Sequence, residues 1–520
     1  MNMNVAKLSY DQSIALTFKN KRGNYGDLGY DPVFRAAALF LAVVNPRVKT
    51  RVVFMNYWQI KNGVTDGSVL ATIRDQDGKR VARQYWKLDQ VAFDIDVGEM
   101  LGNPAEFMGS IEVEIHSSED LKFAFPALDV IYETPKGLTY VHTCQRKFNN
   151  TEDAMRGTRF NPRQSAFDLI TTNGSRPFFS LINGSRAVAA ASARIEVINH
   201  KGATLRHEQS FGELVPFAAR LVELTDIPGL NDFLAGEPGY CVVDLDTNDV
   251  FCRLTCGNLG ADFETMSVTH SFYDCRKFDD YYTADDIHCF FPLNYVEGLD
   301  VEVVFYPILS PSLLKITLEE RAPNGDVAQT YLVNDNYDGS GQDMLRFNLT
   351  DFLAGQGVQP REVLYVLRVV AHDGKVPARI PIGLNYRTAA SPGVNINTSA
   401  MFTTAFRAKQ RSYMWGPLPL REGGKNWLMI AHLSDPVPQA ETSEGELTVW
   451  IDDEIVLKKN MTSRHGEAIN LEMEKLLPAG KVAANLGKTA WYVFESASVA
   501  YTANQIFVSA DGHVGGDHSF

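Results

Sequence analysis

Apolar and polar residues alternate in short runs along most of this chain, and the runs are separated by turn residues. Val69-Leu-Ala-Thr-Ile-Arg74 and Arg80-Val-Ala-Arg-Gln-Tyr-Trp86 flank Asp75-Gln76-Asp77-Gly78. Alternation on both sides of a Gly-bearing turn predicts a β-hairpin. Further alternating runs follow at Ala92–Gly98, Ser110–His116, Leu128–Tyr132 and Leu138–His142. Many short strands at regular spacing indicate a sandwich or barrel.

The same order then recurs. A second hairpin, Arg194–Asn199 with Ala203–His207 about His200-Lys201-Gly202, precedes Tyr240–Leu245, Phe251–Leu254 and Ser267–Cys275. A third, Leu314–Glu319 with Val327–Val333 about Asn324-Gly325, precedes Leu364–Val370 and Ile380–Tyr386. A fourth, Glu446–Ile451 with Glu454–Lys458, precedes Trp491–Phe494, Ser498–Tyr501 and Gln505–Val508. An opening strand repeats as Phe54–Trp58, Pro177–Leu181, Cys289–Leu293 and Asn426–Ile430, at roughly 115 to 135 residues, the size of a β-sandwich. The fold class expected is all-β, with four related tandem β-sandwich modules of jelly-roll or immunoglobulin-like type. They span 1–150 (with an N-terminal segment), 160–283, 284–408 and 409–520. Phe34–Val44 reads equally as a short helix or a buried strand. The polar stretch Arg146–Pro162 and the turn-rich stretch Ala408–Lys425, with Trp415-Gly416-Pro417 and Gly423-Gly424, read as linkers.

Bulk properties narrow the function classes. The 520 residues are 45% hydrophobic, 22% charged and 11% aromatic, too many for one core and unlike a disordered chain. A formal charge of -14 with scattered Lys and Arg argues against nucleic-acid binding. The apolar run Ala37–Val44 falls far short of the roughly 20 residues that span a bilayer, and it does not sit like a signal peptide. The default localisation is cytoplasmic, with an extracellular or virion-associated product as the alternative. Six cysteines do not make a disulfide scaffold.

Three features could carry chemistry. Tyr140-Val-His142-Thr-Cys144, Val268-Thr-His270-Ser-Phe272 and Gly516-Asp-His518-Ser-Phe520 place a His-Ser/Thr step at matching strand ends, and Asn397-Thr398-Ser399 is the nearest match in the third module. Three imidazoles ligate a metal only if they converge on one ion. Equivalent positions in tandem modules are expected tens of Å apart, which makes inherited strand ends the expectation. Second, Cys252, Cys256, His270, Cys275, His288 and Cys289 supply enough soft ligands for structural zinc, though their spacing matches no compact knuckle. Third, His270 and Tyr273 lead into a loop with Asp279, Asp280, Tyr281, Tyr282, Asp285 and Asp286, whose carboxylates and rings suit a sugar or Ca²⁺. No regular EF-hand loop, nucleophile elbow, zinc-protease, phosphate-loop or dinucleotide motif is present. Ser271 beside His270 is not a catalytic pair, because neighbouring strand residues point to opposite faces.

These readings favour a non-enzymatic multi-module β protein acting in assembly, adhesion or ligand binding, with a glycan or another copy of itself as partner and no cofactor. The alternatives are an enzyme acting on a glycan or polar metabolite near His270 and Asp279–His288, and a virion or filament subunit.

Overall fold

The computed structural model describes residues 33–122, 125–147, 163–165, 167–251, 253–273, 281–282, 288–307, 311–339, 344–374, 376–377, 380–391, 393–399, 401–402, 411–433, 440–497, 499 and 501–520. For 273, 281, 282, 288, 399, 401 and 402 it describes the backbone alone. The chain is nearly all β, in small antiparallel sheets. Among the described residues no helix is long and apolar enough to cross a membrane.

The first sandwich defines the plan. Its strands are β1 (Arg35–Val44), β2 (Lys49–Met55), β3 (Gly67–Asp75), β4 (Arg80–Lys87), β5 (Ala92–Asp96), β6 (Phe107–Ser117), β7 (Asp129–Thr134) and β8 (Gly137–His142). One sheet runs β1-β6-β3-β4 and the other β5-β2-β7-β8. β1 and β6 are buried on both faces, which explains the unbroken apolar run Ala36–Val44 and settles its ambiguity as a strand. The same two strand orders recur in sheet pairs within 164–273, 288–402 and 412–518, where the first sheet of two pairs also gains a short added strand. The inward faces of three of these pairs form their own apolar clusters, around Phe179 and Val243, around Val303 and Leu367, and around Leu428 and Val449.

Three sequence readings change. Trp58 belongs to a short helix, Tyr57–Ile60, which starts after β2 and is capped by the Asn56 side chain on the Gln59 N–H. The supposed linker Ala408–Lys425 contains a full strand, Ser412–Pro419. That strand pairs on one side only, so Pro417 removes no ladder bond that is needed. Gly416 is required there not for turning but for closeness, since a Cβ would lie 1.9 Å from Gln505 Oε1. The third change is one of register between copies. Cys289–Leu293 lies in His288–Asn294, the counterpart of β1, whereas Pro177–Leu181 and Asn426–Ile430 lie in counterparts of β2. Both kinds of strand are fully buried, and an apolar run alone does not tell them apart.

A short helix between the fifth and sixth strands of every pair was not foreseen: Val97–Met100, Leu230–Leu234, Leu349–Gly355 and Ala479–Ala484. Its signature is visible in two copies as Leu-x-Asp-Phe-Leu-Ala-Gly, at 230–236 and 349–355. Asp96 and Asn348 cap the first and third helices through the N–H groups of Glu99 and Asp351, each at 3.0 Å.

The eighth strands hold the assembly together. β8 packs on Met266–His270 and on Val514–His518, and Val394–Ser399 packs on the same two, so the four form a closed ring. Each junction is hydrogen bonded. Val268 N–H donates to Thr139 Oγ1 (3.2 Å), Ser267 Oγ to Gly393 O (2.8 Å), Thr388 Oγ1 to Gly512 O (2.6 Å), and Tyr140 Oη to Gln505 O (3.1 Å). After its eighth strand the chain crosses to the opposite sheet: Phe272–Tyr273 pairs with Gln164–Ser165, Met401–Phe402 with Cys289–Phe290. First and eighth strands therefore share one side of each sandwich, and the third–fourth hairpins lie on the side away from the ring.

Candidate functional site

The ring brings together the three histidines that tandem spacing was expected to keep apart. The His142 ring centroid is 4.6 Å from that of His270 and 4.6 Å from that of His518, and the last two are 6.0 Å apart. The reason is topological. β8, Met266–His270 and Val514–His518 each end on their histidine at the same point of the ring, so one residue per copy is delivered to the centre. The third copy contributes Asn397, whose Nδ2 donates to His270 O at 3.1 Å.

Two charged groups complete the cluster. Asp517 Oδ2 accepts from His142 Nδ1 and from the His142 backbone N–H, both at 2.8 Å. The Arg253 guanidinium lies 3.3 Å from His142 Nε2 and 2.7 Å from both ring nitrogens of His270. His270 Nδ1 is 3.0 Å from Ser271 O and His518 Nδ1 is 3.1 Å from Ser519 O. In His142 and His518 Nδ1–H thus has an acceptor, whereas His270 Nδ1 lies between Ser271 O and the Arg253 guanidinium, which can only donate. His270 is 1% exposed and Asp517 3%. Ser271 faces elsewhere, accepting from Leu254 N–H and donating to Gln164 Oε1, so it makes no pair with the His270 ring.

Burial dominates the electrostatics. It lowers His142 to about 4 against the opposing pull of Asp517, and it drives His270 well below the ordinary imidazole value with help from the Arg253 charge. Burial pushes Asp517 up, but His142 and His518 more than reverse that and hold it at about 2. Asp129, the cross-strand partner of His142, behaves oppositely. Burial and the nearby Asp517 charge raise it well above the usual carboxylate range. Asp129 is 0% exposed, and among the described residues neither of its carboxyl oxygens has a hydrogen-bond partner.

The other candidates separate. Cys256 lies in the core of the second sandwich and Cys289 in that of the third, with Sγ contacts to Thr269 O (3.6 Å) and Val369 O (3.5 Å). Burial raises both thiols, Cys289 to about 12. His270 turns to the histidine cluster instead. The proposed zinc set is therefore not assembled from Cys256, His270 and Cys289; Cys252, Cys275 and the His288 side chain lie outside the described residues. So do Asp279, Asp280, Asp285 and Asp286 and the side chains of Tyr273, Tyr281 and Tyr282. The backbone of Tyr281–Tyr282 pairs with Val376–Pro377 of the third copy. The buried His270 cannot offer a ring to a sugar at that loop. Sequence reasoning missed Arg253, Asp517 and Asp129. Asp517 is signalled only by a carboxylate beside a matched histidine, and Arg253 and Asp129 by nothing local.

No protein-family model matches this chain, and no curated protein matches it. Among solved structures, trypsin-activated alpha-2-macroglobulin from Escherichia coli aligns with 91% of this chain and 30% of its own, at 8% identity and a TM-score of 0.09. A likeness of that size carries no argument about fold or function.

Proposed function

We propose that this protein is a non-catalytic structural subunit that self-associates through the outer edges of its sandwiches. The observation that carries the reading is where six of the seven exposed large apolar residues among the described residues fall, the seventh being Leu486 in the turn after Ala479–Ala484. Val81 and Tyr85 lie on β4, Leu313 on the third strand of the third copy, Val327 and Leu332 on its fourth strand (Val327–Asp338), and Ile455 on the fourth strand of the last copy (Glu454–Arg464). Tyr85 is 61% exposed, Leu332 53% and Ile455 53%. Among the described residues these fourth strands pair on one side only, and they reach 12 and 11 residues in the third and fourth copies. A long exposed edge bearing apolar side chains is a template for pairing with another chain, and soluble proteins ordinarily blunt such edges. The closed ring of eighth strands supports the same reading, because it fixes the hairpins as one rigid body. Three of the four cluster residues, His142, His270 and Asp517, are buried, which supports a structural role for them.

Light scattering across a concentration series tests the proposal. Species larger than the 57.9 kDa chain are expected at high concentration, and Leu332→Lys with Ile455→Lys should shift the series to monomer. A native chain that stays strictly monomeric would overturn it.

A further inference from the structure

The histidine cluster has the makings of a coordination site. One donor atom from each of His142, His270, His518 and Asp517 can be chosen so that all lie within 4.8 Å of one another. A tetrahedral ion with bonds of about 2.0–2.1 Å needs its ligands about 3.4 Å apart.

The orientation of the rings is the stronger argument. A metal-bound imidazole generally donates its other N–H to a carboxylate or a backbone carbonyl, which fixes the tautomer and aims the lone pair. His142 does this with Asp517 and His518 with Ser519 O, while His270 Nδ1 lies 3.0 Å from Ser271 O and 2.7 Å from the Arg253 guanidinium. The three imidazoles thus meet around one point, where the Arg253 guanidinium is a donor. It serves His142 and His270. Among the described residues the carboxyl of Asp129, fully buried as the cross-strand partner of His142, has no hydrogen-bond partner, a second mark of a site with room for a ligand.

We propose that this point binds one divalent d-block cation of the zinc class through Nε2 of His142, His270 and His518, with Asp517 as fourth ligand or as the acceptor that orients His142. Nitrogen donors select zinc, cobalt or nickel over magnesium or calcium, which prefer oxygen. Arg253 is the resident competitor. A guanidinium and a metal ion cannot both take the same lone pairs, so the ion enters as Arg253 withdraws. The three histidines come from three sandwiches, and the ion would pin the first, second and fourth together.

The test uses the full chain after dialysis against a chelator, titrated with Co²⁺ alone. Binding of one equivalent should produce the visible absorption of tetrahedral cobalt, which Zn²⁺ then bleaches. His518→Ala should abolish the band, and Arg253→Met should bind at least tenfold more tightly than the native chain. Melting curves establish that each variant is folded. No band in either the native chain or a folded Arg253→Met variant would overturn the proposal. So would a band that survives in a folded His518→Ala variant, since the ion would then be held elsewhere.

Discussion

Gly515 gives the sharpest test of the ring. It sits in the last eighth strand, Val514–His518, directly against β8. A Cβ added there would lie 2.4 Å from Leu138 O and 2.9 Å from Thr139 Cα, both backbone atoms that cannot rotate away. Ordinary contact begins near 3.4 Å, so Gly515→Ala must part the two strands by about 1 Å. Overpacking of this kind costs about 1–3 kcal/mol. The same displacement carries the Tyr140–Gln505 bond (3.1 Å) and the His142–Asp517 bond (2.8 Å) beyond hydrogen-bond range. Loss of a neutral bond costs about 1 kcal/mol, and of one to a charged group about 1.5–3. The expected penalty is therefore at least about 3 kcal/mol, more than a hundredfold in the equilibrium for opening this junction. Trp415 reports on it, because its ring packs tilted against Tyr57 across the same junction at 4.8 Å and stacks on Phe520 at 5.6 Å. In urea titrations Gly515→Ala should lower the midpoint and red-shift the emission early. Gly480→Ala is the control: its helical position in Ala479–Ala484 has open space around it, and the change should stabilise by about 0.5–1 kcal/mol. Equal midpoints for Gly515→Ala and the native chain would refute the packing of these strands.

Two other junctions yield predictions of different kinds. His513 links three copies, with Nε2–H donating to Met266 O (3.0 Å) and Nδ1 accepting from Ser391 Oγ (3.2 Å), and burial lowers its pKa. The unfolded chain then binds more protons, so stability is full above about pH 6.5 and falls as pH drops below it; His513→Gln should flatten the pH dependence of the melting temperature over that range. Asp168 joins the second and third copies by accepting from Arg346 (2.9 and 3.2 Å), Tyr306 Oη (2.9 Å) and Asn385 Nδ2 (2.8 Å). Asp168→Ala leaves the Arg346 charge with Glu302 alone and should cost about 3 kcal/mol in urea unfolding, and an unchanged midpoint would count against this network.

The sandwiches were legible in the sequence because a half-buried strand writes its period into the chain. The hairpin β3–β4 has Val69, Ala71 and Ile73 buried, as the alternation required. What failed was whatever depends on two strands looking alike. His288–Asn294 was taken for the counterpart of β2, and Ser412–Pro419 was hidden by its Gly-Pro step. The site was half legible. Matched His-Ser/Thr steps marked His142, His270 and His518 as equivalent, but equivalence along a chain says nothing of distance. Convergence follows from edge strands of four sandwiches meeting face to face, a contact made between copies and invisible to any pattern within one. Arg253 and Asp517 are recruited across that contact, from opposite halves of the chain.

The closed ring also constrains how the molecule is made. His142 and Asp517 meet although 375 residues separate them. At a synthesis rate of about 5–20 residues per second, the first sandwich waits roughly 20 to 75 seconds for the strand that completes its inner edge. During that interval β8 offers Tyr140 and His142 to any partner that comes by, including the corresponding strand of another nascent chain. Exchange of the Val514–His518 segment between neighbouring polypeptides on one message would produce a domain-swapped pair with every native contact intact.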